Sequence, residues 1–135
     1  MKSDNAGNHA RFYTNDHEWI DFQGSVAYFG ICSFKLSGFK AIHEISLDTS
    51  SGYRKKGEVI ATVKFNDYEI EAHMPVDGNL LKVNDALLKG DADILLQKPE
   101  DSGWIAFITP TDPEERNDLL IHEHYQMKVS RRSPK

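Results

Sequence analysis

The stretch Glu58 to Met74 reads EVIATVKFNDYEIEAHM and contains two runs in which apolar and polar residues alternate. Alternation with a period of two is the pattern of a β-strand with one buried face. Asn66 and Asp67 separate the two runs, and both residue types tolerate the positive φ angles of a tight two-residue turn. The stretch therefore predicts a β-hairpin whose tip is Asn66-Asp67.

Placing the turn at Asn66-Asp67 fixes which residues face each other across the hairpin. A slip by one residue would mix its apolar and polar faces, so the register is strongly specified. One face is predicted to be buried and the other to be solvated. The pairs expected on the apolar face are Phe65–Tyr68, Val63–Ile70 and Ala61–Ala72, and those on the polar face are Lys64–Glu69, Thr62–Glu71 and Ile60–His73.

Turn-forming residues divide the rest of the chain into short segments, which indicates a small β-sandwich or barrel. Gly90 is expected to interrupt a short helix within 85–97. A second helix should begin near Asp112-Pro113, because aspartate can cap a helix and proline fits its first position. Its buried face is predicted to contain Leu120, His124 and Met127. The strands are predicted at 17–22, 25–31, 39–47, 58–65, 68–74, 79–83 and 103–109.

Length and composition suit one globular domain. The chain has 135 residues, of which 39% are hydrophobic and 27% charged. We expect a flexible lead over residues 1–11, a folded domain over 12–127 and a basic flexible tail over 128–135. The net charge of -5 argues against nucleic-acid binding. No apolar run is long enough to span a membrane or resembles a signal peptide, so a cytoplasmic location is expected.

Few residues suggest chemistry of their own. Cys32 lies in an apolar run and is interpreted as a small buried residue. The pair His122 and His124 points in different directions on a helix, and His17 and Glu18 face opposite sides of a strand, so no metal site is predicted. The scattered carboxylates show no sign of burial, and we expect no catalytic residues. These carboxylates are Asp16, Glu18, Asp21, Glu44 and Asp48.

The hairpin and the segment Pro75-Val76-Asp77-Gly78 after it resemble the attachment hairpin of lipoyl domains and of glycine-cleavage H proteins. Further segments, in the same order along the chain, resemble the H protein in particular. No single segment is decisive, but their order and spacing together are specific. They are Phe12-Tyr13-Thr14-Asn15-Asp16-His17-Glu18-Trp19-Ile20, Gly30-Ile31 with Phe34, Val83-Asn84-Asp85-Ala86-Leu87 and Ser102-Gly103-Trp104-Ile105.

This resemblance implies a fold and a role. The implied fold is mostly β, a lipoyl-type barrel-sandwich hybrid (hammerhead) of two short sheets with small helices and a C-terminal helix. The family is not itself enzymatic. Its members carry an aminomethyl group on a lipoyl arm between the P, T and L proteins of glycine cleavage.

The chain departs from the family at the attachment position. The modified lysine of the family stands eight residues before the proline that follows the hairpin, and here that position is Asp67. Lipoylation forms an amide with a side-chain amine, which a carboxylate cannot replace. The only lysine in the hairpin is Lys64, three residues earlier.

Three hypotheses follow. The first is an H-protein-like module without lipoate or another cofactor, which acts by binding the P, T or L protein or a lipoate-attaching enzyme. The second is a working carrier lipoylated on Lys64. The third is an unrelated ligand-binding β-domain on the same scaffold. We favour the first, because Lys64 is expected to lie within a strand opposite Glu69.

Overall fold

The computed structural model describes residues 10–132. Within that range the chain is mostly β, with short helices between strands and one longer helix at the end. The strands are β1 Ala10–Tyr13, β2 Glu18–Gln23, β3 Val26–Ile31, β4 Glu44–Leu47, β5 Gly52–Arg54, β6 Val59–Phe65, β7 Tyr68–His73, β8 Gly78–Val83 and β9 Ala106–Pro110. The helices are α1 Asp85–Leu88, α2 Asp93–Gln97 and α3 His122–Arg132, with 3₁₀ helices at Ser33–Leu36 and Pro113–Asp118.

The strands form two antiparallel sheets. The larger sheet has six strands in the order β1-β2-β3-β9-β8-β5, and the smaller has the order β4-β6-β7. Side chains of both sheets join one buried cluster, to which the larger contributes Phe29 and Ile108 and the smaller Val63 and Ala72. The predicted fold class is confirmed, and the sheets do not close into a barrel. No helix within residues 10–132 is long and apolar enough to cross a membrane.

The hairpin β6–β7 has the predicted register over five of its six pairs. The sixth prediction was wrong, because a bulge between Val59 and Ala61 pairs Val59 with His73 in place of Ile60. The extra residue turns Ile60 towards the interior, where it is 1% exposed. Burying an isoleucine side chain stabilises the fold by about 2 kcal/mol, which favours the bulged arrangement.

Several strand boundaries differ from the prediction. β1 begins at Ala10, inside the segment predicted as a flexible lead, and it pairs with β2. β5 was not predicted at all, and its three residues pair only with β8. The predicted strand 39–47 shortens to β4. Short edge strands such as β1 and β5 have too few residues to show a periodic pattern, so only their pairing reveals them.

The helices agree with the prediction in part. Gly90 separates α1 from α2 with a φ of 95°, as predicted. Asp112 does cap a helix by accepting a hydrogen bond from the backbone of Glu114, but this 3₁₀ helix ends at Asp118.

The last helix, α3, starts only at His122, so its buried face is not the predicted one. His124 is exposed and Met127 is 57% exposed. Tyr125 is buried instead and stacks on Tyr13 with 4.6 Å between ring centroids. Leu120, just before the helix, forms an isolated β-bridge with Tyr13. α3 continues to Arg132 and so includes the first part of the predicted tail. The remainder of the predicted lead and tail, residues 1–9 and 133–135, lies outside the described residues.

The packing of Trp19 on Gly30 gives a first testable prediction. These residues are partners across β2 and β3, and a Cβ on Gly30 would lie 2.8 Å from two ring carbons of Trp19. The ring cannot move easily, because it is 2% exposed and its Nε1 donates to the carbonyl of Pro99 at 3.0 Å. We expect Gly30→Ala to lower the free energy of unfolding by about 1–3 kcal/mol in urea titrations.

Gly38→Ala is the matched control. A Cβ there would be 3.7 Å from the nearest atom, in the ring of Tyr68, which is ordinary van der Waals contact. Its unfolding free energy should stay within about 0.5 kcal/mol of the wild type. Equal effects of the two substitutions would contradict the packing argument.

Candidate functional site

The tip of the hairpin lies where the sequence predicted it. Asn66 and Asp67 form the turn between β6 and β7, and both are exposed. Asn66 has a φ of 55°, in the left-handed region that asparagine tolerates better than most residues. Asp67 is therefore exposed at the end of the hairpin.

The tip is held from one side by the segment that precedes β4. The backbone N–H of Asn66 donates to Nδ1 of His43 at 3.2 Å, and the N–H of His43 donates to the carbonyl of Lys64 at 2.8 Å. The His43 ring also packs edge-on against Phe65, with centroids 5.0 Å apart. The ring centroid of Phe39 lies 6.1 Å from the ring centroids of both Phe65 and Tyr68. These contacts fix the position of the turn relative to β4.

Lys64 lies within the strand and not at the tip. It pairs with Glu69 of β7 on one side and with Glu44 of β4 on the other. Phe65 and Asn66 separate it from Asp67, and it is only partly exposed. Its neighbours across both strands are carboxylates, which favour an ammonium that stays beside the sheet.

A second group of polar residues lies away from the tip and was not predicted. Glu18 of β2 is 2% exposed, although glutamate is almost never buried without partners. Its Oε2 accepts from the backbone N–H of His73 at 2.9 Å and lies 2.8 Å from His73 Nδ1. Oε2 also accepts from Lys35 Nζ at 3.2 Å.

Lys35 has three acceptors around its ammonium group. They are Asp16 Oδ2 at 2.8 Å, the Glu71 carbonyl at 2.7 Å and Glu18 Oε2 at 3.2 Å. A lysine ammonium has three N–H donors, so all of them are used. The Lys35 side chain is 11% exposed. Lys35 thus connects the 3₁₀ helix Ser33–Leu36 to both sheets.

A tight turn before β2 brings the two carboxylates together. Thr14 Oγ1 accepts from the backbone N–H groups of both Asp16 and Glu18, and His17 adopts a φ of 64° between them. The turn thereby brings both carboxylates to Lys35, whose Nζ donates to Asp16 Oδ2 and Glu18 Oε2. The expectation that these carboxylates show no sign of burial was wrong for two of them, because Glu18 is 2% exposed and Asp21 is 8% exposed. The sequence offered only the weak signal of carboxylates at this spacing, because Lys35 and His73 come from distant segments.

The environment shifts the acidities of the two carboxyl groups in opposite directions. For Glu18, burial raises the pKa, and the charge of Lys35 and the hydrogen bonds from His73 only partly oppose this. For Asp16, burial is the largest single effect and raises the pKa, but the hydrogen bond and charge of Lys35 and the charge of His73 together outweigh it, so the pKa is lowered. Lys35 therefore favours the ionised form of both groups.

Asp16, Glu18 and His73 place one ligand atom each within 4.8 Å of one another, which is close enough for a shared cation. The Lys35 ammonium already lies against two of these atoms. A divalent ion there would meet the repulsion of this buried positive charge. The arrangement is thus a charge-balanced cluster that links the sheets.

Cys32 is buried, as predicted, and burial raises the pKa of its thiol to about 12. A thiol of this kind is not a nucleophile at neutral pH. It lies in a second buried cluster with Tyr13, Trp19 and Tyr125. This cluster anchors α3.

Comparison with known proteins identifies relatives over nearly the whole chain. The sequence profile of a family described as "Glycine cleavage H-protein" matches residues 11–132. The chain is 32% identical over 120 residues to a "Probable glycine cleavage system H protein" of Aeropyrum pernix, covering 89% of this chain and 83% of that protein. It is 29% identical over 118 residues to the "Glycine cleavage system H protein" of Bacteroides thetaiotaomicron, covering 87% and 93%.

The structure of a glycine cleavage system H protein from Mycobacterium marinum has a similar fold. It matches with a TM-score of 0.74 at 24% sequence identity, covering 90% of this chain and 97% of that one. At this identity the likeness concerns the fold.

The two lysines give a testable contrast. We expect Lys35→Met to lower the unfolding free energy at pH 7 by about 3 kcal/mol, because Glu18 is left buried without its charged partner. Lys64→Met should cost about 0.5 kcal/mol or less, since its carboxylate neighbours lie beside solvent. Chemical denaturation of both variants measures the difference. The double variant Lys35→Met/Glu18→Gln should recover part of the loss, and no recovery would refute this account.

The lowered pKa of Asp16 gives a prediction about acid. A carboxyl group whose pKa is lower in the folded state stabilises the fold above its unfolded pKa, and this contribution disappears as the pH falls through the folded value. The wild type should therefore be more stable than Asp16→Asn at pH 7, and the two should converge below about pH 4. Melting temperatures at several pH values test this, and a gap that widens in acid would contradict it.

Proposed function

Because this chain belongs to the glycine cleavage H-protein family, we propose that it is a non-catalytic interaction or regulatory module of that family which has no lipoyl group of its own. Members of the family normally carry lipoate and contact the P, T and L proteins and the lipoate-attaching enzyme. In our proposal the chain keeps the shape that those proteins recognise. It does not contribute a swinging arm.

The observation that carries this proposal is the exposed Asp67 at the tip of the hairpin. Attachment of lipoate needs a nucleophilic amine at the point that enters the active site of the attaching enzyme. A carboxylate at that point cannot form the amide, so the residues at the tip do not fit the group. The backbone N–H of Asn66 donates to His43 Nδ1, which holds the turn in place and supports a retained docking shape.

The alternative hypothesis, a working carrier, requires that lipoate is attached to the amine of Lys64. Lys64 is a poorer attachment site than a lysine at the tip would be, because it lies inside β6 between Glu44 and Glu69. Sliding the turn towards Lys64 would break the pairs Val63–Ile70 and Ala61–Ala72, whose members belong to the core or pack against it. Exposing even one such apolar side chain costs about 1.5–3 kcal/mol. The register of the hairpin therefore opposes the relocation of the arm.

A lipoylation assay tests the proposal directly. The full chain is incubated with a lipoate ligase, ATP and lipoate, and intact mass is measured. We expect no lipoyl adduct on the wild type, and a stoichiometric adduct on any of its lysines would overturn the proposal. Asp67→Lys should gain an adduct, because it places an amine at the exposed tip without changing the turn residue Asn66.

Two further variants identify the acceptor. Asp67→Lys/Lys64→Arg should be modified as well as Asp67→Lys, because the new lysine is the acceptor. If the wild type were modified and Lys64→Arg were not, Lys64 would be the attachment site and the carrier hypothesis would be correct. Peptide mapping of any adduct assigns it to one residue.

A further inference from the structure

A small cavity lies on the side of the larger sheet, where the turn between β2 and β3 meets the end of β9 and the 3₁₀ helix Pro113–Asp118. Its volume is about 230 Å³. The buried side chains of Phe22 and Val76 form much of its apolar lining, together with Pro110 and Pro113. None of the residues discussed at the hairpin tip or around Lys35 lines it.

The one basic side chain of the cavity is Arg116. Its guanidinium lies 3.9 Å from the centroid of the Phe22 ring and 6.0 Å from that of Phe12. These contacts hold the guanidinium against the aromatic rings. Within residues 10–132, no hydrogen bond or ion pair joins this guanidinium to another residue.

The other arginine side chains that the structure describes are paired. Arg11 contacts Asp21 at 3.3 Å, and Arg54 contacts Asp48 at 3.1 Å. Arg116 differs because its donors remain available to something outside the chain. The hydroxyl-bearing residues Ser25 and Thr109 line the same cavity and could add donors beside it.

One carboxylate of the chain, Asp112, also lines the cavity. It is exposed and caps the 3₁₀ helix, where its Oδ1 accepts from the N–H of Glu114 at 3.0 Å. Among the described residues, no ion pair or hydrogen bond joins the Asp112 carboxylate to the Arg116 guanidinium. The hydrogen-bonding capacity of Arg116 is therefore not used by Asp112.

We propose that this cavity binds a small organic monocarboxylate, with its hydrocarbon part against Phe22 and Val76 and its carboxylate on Arg116. An apolar cavity with a few convergent polar groups is the usual form of a small-molecule site. A guanidinium recognises a carboxylate through two parallel hydrogen bonds, which a hydroxyl or an ammonium group cannot accept in the same way. The cavity is small, so the ligand is a short aliphatic or aromatic acid. This site is independent of whether the chain is lipoylated.

The test compares three probes that share one chain length and differ in the head group. Sodium hexanoate, 1-hexanol and hexylammonium chloride are titrated into the full isotope-labelled chain at constant ionic strength, and methyl resonances are followed by NMR. Hexanoate should shift the methyl signals of Val76 and Thr109 and bind at least about tenfold more tightly than hexanol. Equal affinities, tighter binding of hexylammonium, or no shift at these methyl groups would overturn the proposal.

Variants then assign the carboxylate contact. Arg116→Met keeps an unbranched side chain on Phe22 but removes the charge, and it should weaken hexanoate binding about tenfold or more while leaving hexanol binding unchanged. Lys82→Met, which removes a positive charge at an exposed position of β8, should bind hexanoate as the wild type does. Unchanged binding by Arg116→Met would refute the site. If that variant does not fold, the comparison of head groups on the wild type decides alone.

Discussion

The hydrogen bonds of the buried Glu18 carboxylate link the two sheets. It belongs to β2 of the larger sheet, yet its donors are Lys35 and the backbone and ring of His73 in β7 of the smaller one. β7 is an edge strand, so its outward N–H and C=O groups need partners from elsewhere. Glu18 and Lys35 supply two of them, and the hairpin is thereby fixed relative to the rest of the protein.

This contact helps to give the hairpin one shape that does not depend on the side chain at its tip. The register depends on the apolar face of β6 and β7 and on the Lys35 cluster, and neither involves Asp67. A change of side chain at the exposed turn therefore costs the fold little. Fold and chemistry are separable here, as they are in many protein families.

The two positively charged residues near the hairpin illustrate how position decides the role of a charge. Lys35 is almost buried and has three acceptors, so it stabilises the structure. Lys64 lies beside solvent between two carboxylates and contributes little to stability. Arg116, on a different face, has its guanidinium on aromatic rings and no acceptor among the described residues. The guanidinium of Arg116 therefore has donors that a ligand in its cavity can use.

The sequence by itself determined the hairpin, its turn at Asn66-Asp67 and the presence of an aspartate at that turn. Alternating residues in adjacent segments specify such local pairing, because a slip would expose the apolar face. The cluster of Asp16, Glu18, Lys35 and His73, the strand β1 and the buried face of α3 were decided only by the tertiary structure. Their partners lie far apart along the chain, so no short-range pattern records them. Burial of Glu18 is favourable only once the distant segments that contain Lys35 and His73 have converged on it, and that convergence is a property of the whole fold.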